Sequence, residues 1–157
     1  MIKRIAKWVG LMLVIGLVAI QLVPYGRNHT NPAVSVEPAW DSETTRTLAA
    51  TACADCHSNH TEWPWYSNIA PISWLVQRDV DEGRAKLNWS VPGGSEEAGE
   101  SAESVREGEM PPWIYTLTHP AAKLSDADRE ALIQGLMATF GGGEGGSGEG
   151  GGDGGDD

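Results

Sequence analysis

The pentapeptide Cys53-Ala54-Asp55-Cys56-His57 decides how the chain of 157 residues is organised, and it holds both of the chain's cysteines. A Cys-x-x-Cys-His element is the motif to which a c-type haem is attached. Residues three apart share one face of a helix, so both sulfurs can reach the same porphyrin edge. The histidine that follows can ligate the iron. The motif therefore predicts one covalent haem c, with Cys53 and Cys56 as attachment residues and His57 as the proximal iron ligand.

Three other interpretations of the pentapeptide are weaker but stay open. A thioredoxin-like redox motif needs a βαβ context, and no strand pattern surrounds the two cysteines. A zinc site would draw on Cys53, Cys56, His57 and His60, but adjacent ligands on one turn do not easily close a tetrahedron, and no second pair stands at zinc-finger spacing. The third alternative is a structural disulfide.

Residues 1–25 have the pattern of a membrane anchor. Three basic residues precede an apolar run that extends from Trp8 to Val23, just long enough for a thin bilayer core. The basic residues are expected on the cytoplasmic side, which places everything after Tyr25 outside the cytoplasm. A cleaved signal peptide is the alternative. We expect single-pass anchoring in a bacterial cytoplasmic membrane, with the rest of the chain in the periplasm.

The chain beyond this run is strongly acidic. From Asn28 onward, 7 Lys and Arg residues stand against 22 Asp and Glu residues, a net charge of 7 − 22 = −15. Nucleic-acid binding needs a basic surface, so it is excluded. The charge instead predicts a redox partner protein with a basic docking face.

Composition divides the chain into four segments: an anchor or signal sequence (1–25), a linker (26–40), a c-type haem-binding domain (41–140) and a tail (141–157). Asn31-Pro32 and Glu37-Pro38 deny the linker a regular element, and His29 is expected to be a solvated linker residue. The tail contains only glycine, serine and acidic residues. It cannot bury apolar surface and is predicted to be disordered.

The domain is predicted to be all-α. Four helices are expected: one that starts at Ser42 and carries both cysteines on its apolar face, and others over 72–84, 95–107 and 125–140. Ser42, Ser95 and Ser125 are the expected N-caps, with Glu96 and Glu97 in the first turn of the third helix. The last has a stripe at helical spacing that should pack against the first helix. This stripe consists of Leu132, Ile133, Leu136, Met137 and Phe140.

Two further groups of residues are candidates for the haem site. Trp63, Trp65 and Tyr66 either form a wall of the haem pocket, with an indole or phenol group reaching a propionate, or pack under a long loop. Met110 precedes two prolines, and the stiff backbone there suits a weak thioether ligand. Met110 is therefore predicted as the distal ligand of iron, with His119 or an open distal site as alternatives.

With these residues in hand, the chain resembles the single-haem "haem-binding domain" family of exported bacterial proteins. The resemblance implies a cytochrome c-like fold and a covalent haem held by Cys53, Cys56 and His57. It rests on the following stretches, in order: Pro24-Tyr25-Gly26-Arg27, Cys53-x-x-Cys56-His57-Ser58-Asn59, Trp63-Pro64-Trp65-Tyr66-Ser67, Ile69-Ala70-Pro71, Trp74-Leu75-Val76, Gly108-Glu109-Met110-Pro111-Pro112, Tyr115-x-x-x-His119-Pro120 and Leu124-Ser125.

These features predict one-electron transfer at the outer face of the membrane rather than catalysis. A His57/Met110 pair favours Fe(II), so a fairly high reduction potential is expected. A haem-based sensor or ligand-binding module with a distal site that opens is the alternative function. Peroxidase activity is not expected, because nothing in the spacing of His119 and Arg106 enforces a distal acid–base pair.

Overall fold

The computed structural model describes residues 1–95 and 98–141, and within them it contains helices and turns but no strand. The predicted all-α class is confirmed. Seven α-helices lie in these residues: α1 Ile2–Ile20, α2 Glu43–Ala52, α3 Ala54–His57, α4 Ile72–Lys86, α5 Ser101–Arg106, α6 Trp113–Thr118 and α7 Asp126–Phe140. Three 3-10 turns accompany them, at Trp65–Asn68, Ala98–Glu100 and Pro120–Ala122.

The chain forms two compact units. The first consists of Met1–Glu37 and Ala52–Ser95, and the second contains Pro38–Thr51 and the described residues from 98 to 141. In the first unit, α4 packs against α3 and against the 3-10 turn that precedes it. In the second unit, α7 packs against α5. The buried side chains of this second contact are Ala102, Val105, Leu132, Ile133 and Leu136.

The last predicted helix also lies close to α2 within the second unit. A methyl group added at Gly135 of α7 would lie 1.9 Å from the hydroxyl oxygen of Thr45, a residue of α2. The two helices therefore meet at a point where only a glycine fits. Helix α7 thus meets the predicted first helix at Gly135, a residue outside the predicted apolar stripe.

The predicted caps Ser42 and Ser125 are confirmed, whereas Ser95 does not cap α5, whose N-cap is Glu100. Ser42 Oγ accepts a hydrogen bond from the Thr45 N–H (3.2 Å), one turn into α2. Ser125 Oγ accepts one from the Asp128 N–H (3.1 Å) and donates to the Asp128 carboxylate (2.7 Å). Each serine satisfies a backbone donor that the helix itself leaves unpaired.

Replacing the second cap tests how much it stabilises α7. We expect Ser125→Ala to lower the free energy of unfolding by about 1 kcal/mol, the usual value of an N-cap. Chemical denaturation followed by circular dichroism measures the change. Ser125→Thr is the matched control, because threonine keeps a hydroxyl that can accept from the Asp128 N–H and donate to its carboxylate, and an equal loss in both variants would contradict the capping role.

Two predicted helices differ from the structure. The first expected helix ends at Ala52 and does not continue to Cys56. Cys53 has φ −131° and ψ −28°, outside the helical region, and is the N-cap of the separate helix α3. The third is shorter than 95–107, because a 3-10 turn that contains Gly99 replaces its first residues and α5 begins only at Ser101. Glycine is a poor helix former. The expected first-turn residues Glu96 and Glu97 lie outside the described residues.

The predicted anchor contains one helix, α1, which has no buried residue. Its first two turns include Lys3, Arg4 and Lys7. Among residues 1–95 and 98–141, no helix combines the length and the apolar character needed to cross a membrane. Membrane anchoring therefore stays a prediction.

The predicted linker has no helix or strand between residues 27 and 40, but it is hydrogen-bonded within the first unit. Asn31 Nδ2 donates to the Thr61 carbonyl (2.8 Å), and Asn59 Nδ2 donates to the Ala33 carbonyl (2.9 Å). The Ser35 N–H donates to the Ser90 carbonyl (2.9 Å). The segment from Asn31 to Ser35 thus lies against the loops that follow α3 and α4.

Candidate functional site

The two cysteines and the histidine are brought together by a single helical turn. The carbonyl of Cys53 accepts hydrogen bonds from the N–H groups of Cys56 (3.1 Å) and His57 (2.9 Å). Cys53 and Cys56 are therefore one turn apart, on the same side of the chain. Both are free thiols. The three groups thus lie within one turn, which belongs to α3 and not to the longer first helix that was expected.

Both thiols are partly shielded from solvent. Burial raises the pKa of Cys53 to about 12. Burial, with a smaller effect from the nearby Asp55 and Asp79 carboxylates, raises the pKa of Cys56 to about 11. Both groups are therefore neutral thiols at pH 7 in the folded chain. Such surroundings disfavour a reactive surface thiolate and suit a buried apolar group bonded to sulfur.

His57 is held in the form that binds a metal. Its Nδ1 lies 3.1 Å from the carbonyl oxygen of Leu87, and a carbonyl only accepts, so Nδ1 carries the proton and Nε2 carries the lone pair. Burial lowers the pKa of the imidazole, which keeps it neutral at pH 7. A carbonyl on the second nitrogen is the usual way in which a ligating histidine is oriented.

Helix α4 supplies this carbonyl because it can approach α3 closely. A Cβ atom added at Gly83 would lie 2.5 Å from the carbonyl oxygen of Cys56 and 2.8 Å from its Cβ. Only a glycine allows this distance. Leu87 follows one turn later, and its N–H donates to the Gly83 carbonyl (2.9 Å). Gly83 thus determines where the Leu87 carbonyl meets His57.

Trp89 was not expected in the site, yet it lies beside the histidine. The backbone N–H of Trp89 donates to the His57 carbonyl (3.1 Å). The centroid of the indole ring lies 6.5 Å from that of the imidazole. Trp89 is buried, although it lies outside the helices expected from the sequence. A tryptophan in a polar stretch was the available signal, since indole rings are seldom left in water.

Arg84 holds the loop after α3 in place. Its Nε donates to the Ser58 carbonyl (2.9 Å), and its Nη2 donates to Thr61 Oγ1 (2.9 Å) and to Asn31 Oδ1 (3.1 Å). One planar guanidinium thus links the loop after α3, at Ser58 and Thr61, to Asn31 of the preceding segment.

A second network of buried polar groups supports the same loop. Asn88 Nδ2 donates to Asn59 Oδ1 (2.9 Å), and Ser90 Oγ accepts from the Asn59 N–H (2.9 Å). The Ser90 N–H donates to Asn88 Oδ1 (3.0 Å). Because their polar groups are paired, these three buried side chains rigidify the loop instead of destabilising it.

The predicted aromatic residues lie in the first unit in different surroundings. Trp63 stacks on His29, with ring centroids 4.6 Å apart and planes 15° apart, and its indole N–H donates to Asn31 Oδ1 (3.2 Å). Trp65 is 76% exposed and meets Tyr66 edge-on at 5.8 Å. Nothing in these contacts tests whether the three rings border a haem, so that role stays a prediction.

His29 is not a solvated linker residue. Its Nε2 lies 3.2 Å from the Gly26 carbonyl oxygen and 3.1 Å from the Ser67 carbonyl oxygen, and its ring is half-buried against Trp63. The expectation was wrong because sequence alone did not indicate that this segment packs against the 3-10 turn. His60 is exposed, as expected.

Met110 and His119 both lie in the second unit. Met110 is half-buried, and its N–H donates to the Ser104 carbonyl at the end of α5 (3.2 Å). His119 stacks on Tyr115, with ring centroids 4.0 Å apart, and its Nδ1 lies 3.1 Å from the Tyr115 carbonyl oxygen. The backbone at Met110 is thus held as expected, while its role as a ligand stays a prediction.

The described residues offer no competing metal site. Across 1–95 and 98–141, no three His, Cys, Asp or Glu side chains converge so that they could hold a metal ion. The zinc interpretation of Cys53, Cys56, His57 and His60 therefore has no support in the geometry. By contrast, the imidazole of His57, with its lone pair on Nε2, is a suitable axial ligand for a haem iron.

A comparison with protein families agrees with this interpretation. The family model described as "Haem-binding domain" matches residues 15–138, which is most of the chain. The chain belongs to the haem-binding domain family. No curated protein and no solved structure matches it. Haem binding is therefore assigned, and the predicted family is confirmed.

Proposed function

We propose that this haem-binding domain is a membrane-anchored monohaem c-type protein that transfers single electrons on the periplasmic side of a bacterial inner membrane. The observation that carries the proposal is the turn formed by Cys53, Cys56 and His57. The turn presents two thiols on one side, and the hydrogen bond to Leu87 leaves the imidazole lone pair on Nε2. When bound, the haem supplies a one-electron couple between Fe(II) and Fe(III).

Each residue of the turn has a distinct role in this proposal. Cys53 and Cys56 hold the porphyrin as thioethers, and His57 ligates the iron with its position fixed by the Leu87 carbonyl. Met110, kept on a stiff backbone by the prolines that follow it, supplies the distal thioether. A soft sulfur ligand favours Fe(II), so the reduction potential should be high.

The charge of the chain supports a protein partner for the electron. The net charge of −15 from Asn28 onward attracts a basic docking face and speeds encounter with it. Lys3, Arg4 and Lys7, at the start of an exposed apolar helix, support an anchor with its N-terminus in the cytoplasm. Electron donor and acceptor would then meet the protein at the outer surface of the membrane.

Absorption spectra of the full chain, expressed in a host that matures c-type cytochromes, test the proposal. We expect haem that resists acid–acetone extraction and, in the oxidised form, a weak far-red thioether-to-iron band. Met110→Leu should abolish this band and lower the reduction potential, while the matched variant Met137→Leu should leave both unchanged. Tight binding of CO by the reduced wild-type protein would instead support the haem-based sensor.

A further inference from the structure

The end of α1 is fixed to the residues just before α4, within the first unit, by a reciprocal pair of hydrogen bonds. The side-chain amide of Gln21, which caps α1, donates from Nε2 to the Ala70 carbonyl (2.9 Å). Its Oε1 accepts from the N–H of the same Ala70 (3.0 Å). Because one amide uses both its donor and its acceptor on one residue, the pair fixes orientation as well as distance.

The residues directly after α1 add two more contacts with α4. Gly26 is buried at φ +75°, and a Cβ atom added there would lie 2.4 Å from the Ser73 carbonyl oxygen. The hydroxyl of Tyr25 donates to Asp81 Oδ2 (3.4 Å). The domain is therefore not joined to α1 by a flexible linker, and the surface around this junction has a defined position relative to the helix.

This surface is apolar. Ile69, Ile72 and Leu75 surround the start of α4 and are 44%, 45% and 46% exposed. Next to them is an open groove with a volume of about 390 Å³ between the end of α1 and α4. The groove is lined by Val23, Tyr25, Trp74, Leu75 and Arg78. The exposed apolar surface of α1 is therefore continuous, through Val23, with the apolar surface at the start of α4. The four residues Val23, Ile69, Ile72 and Leu75 are called the junction face below.

The exposed apolar residues and the acidic residues of α4 lie in different parts of the helix. Its first turns carry the apolar residues of the junction face, whereas its acidic residues begin at Asp79 and include Glu82. Asp79, the acidic residue of α4 nearest to Leu75, lies four residues further along, which is about 6 Å along a helix. Its carboxylate is paired with Arg78 (2.8 Å), a residue that lines the groove. The carboxylate nearest to the junction face therefore has a cation beside it.

We infer that the junction face rests in the boundary between headgroups and acyl chains of the bilayer that α1 enters. This inference rests on the membrane anchor in the proposed function. An exposed apolar helix needs a lipid environment, and the junction face is held by Gln21 and Gly26 at the point where that helix ends. The ring of Tyr25 lines the same groove while its hydroxyl reaches a carboxylate, as interfacial tyrosines do.

Photo-crosslinking of the full chain in vesicles of phosphatidylethanolamine and phosphatidylglycerol tests the inference. Leu75→p-benzoylphenylalanine should form lipid adducts at least about fivefold more often than Ala85→p-benzoylphenylalanine, an exposed control on the same helix, because the apolar boundary surrounds only the first position. Leu13→p-benzoylphenylalanine reports on α1 itself. Adding Gln21→Ala should lower the yield at position 75 but not at position 13.

The outcomes separate the inference from the anchor on which it rests. Lipid adducts at position 13, with position 75 no better than position 85, would leave the anchor standing and overturn the inference. Absence of lipid adducts at position 13 would overturn the anchor and the inference together. Adducts at position 75 with a second protein chain instead of lipid would assign the junction face to a protein interface and also overturn it.

Discussion

The double variant Cys53→Ala, Cys56→Ala is expected to contain no covalently bound haem. The chain has two cysteines, so the double variant has no thiol that could bond to a haem vinyl group. His57 remains, with its Nδ1 still directed at the Leu87 carbonyl, so any haem that binds is held by ligation and contacts alone. The pyridine haemochrome of acid–acetone-washed protein should fall to background, while unwashed protein can retain haem.

Three further proteins make this result specific. Each single cysteine variant should keep one thioether, which shifts the reduced haemochrome band because one vinyl group stays unsaturated. Ala54→Ser changes the same turn without removing sulfur and should match the wild type. If the wild-type haem were extracted as completely as that of the double variant, covalent attachment would be ruled out and the disulfide interpretation would return.

The parts of the fold predicted from sequence are those set by local chemistry. Ser42 and Ser125 cap their helices as expected, because a side-chain oxygen three residues before a free N–H needs no tertiary context. The apolar stripe of α7 gave the correct buried face for Leu132, Ile133 and Leu136, but Met137 of the same stripe is 49% exposed. N-caps and apolar periodicity can both be recognised from a few consecutive residues, without knowledge of tertiary contacts.

The parts that were missed depend on contacts between distant segments. The helix break at Cys53 follows no proline or glycine, and it lies where the chain passes between its two compact units. The packing of His29 on Trp63 joins residues 34 apart, and the contact of Trp89 with His57 joins residues 32 apart. Sequence periodicity carries no information about such pairs.

Within the candidate site, the motif identified the chemical groups but not what positions them. Cys53, Cys56 and His57 were predicted from their spacing alone. The Leu87 carbonyl that orients the imidazole was not predicted, because every residue type has a backbone carbonyl and the sequence does not show which one meets the histidine. Gly83 was not predicted either, although it allows α4 to approach the Cys56 backbone closely.

Gly83→Ala is therefore expected to have the second-largest effect, this time on stability. The added methyl group would lie 2.5 Å from the Cys56 carbonyl oxygen, a backbone atom that cannot rotate away. Overpacking of this kind costs about 3 kcal/mol, and the better helix propensity of alanine returns about 1 kcal/mol. We expect a net loss of about 2 kcal/mol in the free energy of unfolding, measured by chemical denaturation of the haem-loaded full chain.

Gly99→Ala is the matched control for this loss. Nothing lies within 4 Å of a Cβ added at Gly99, and its φ is not positive, so the change should be neutral or stabilising by a few tenths of a kcal/mol to about 1 kcal/mol. Gly83→Ala should also alter the Soret band, because it displaces the Leu87 carbonyl that orients His57, whereas Gly99→Ala should not. If Gly83→Ala were as stable as Gly99→Ala and had an unchanged spectrum, α4 would not be packed on the Cys53–His57 turn as described. The orientation of the imidazole would then need another source.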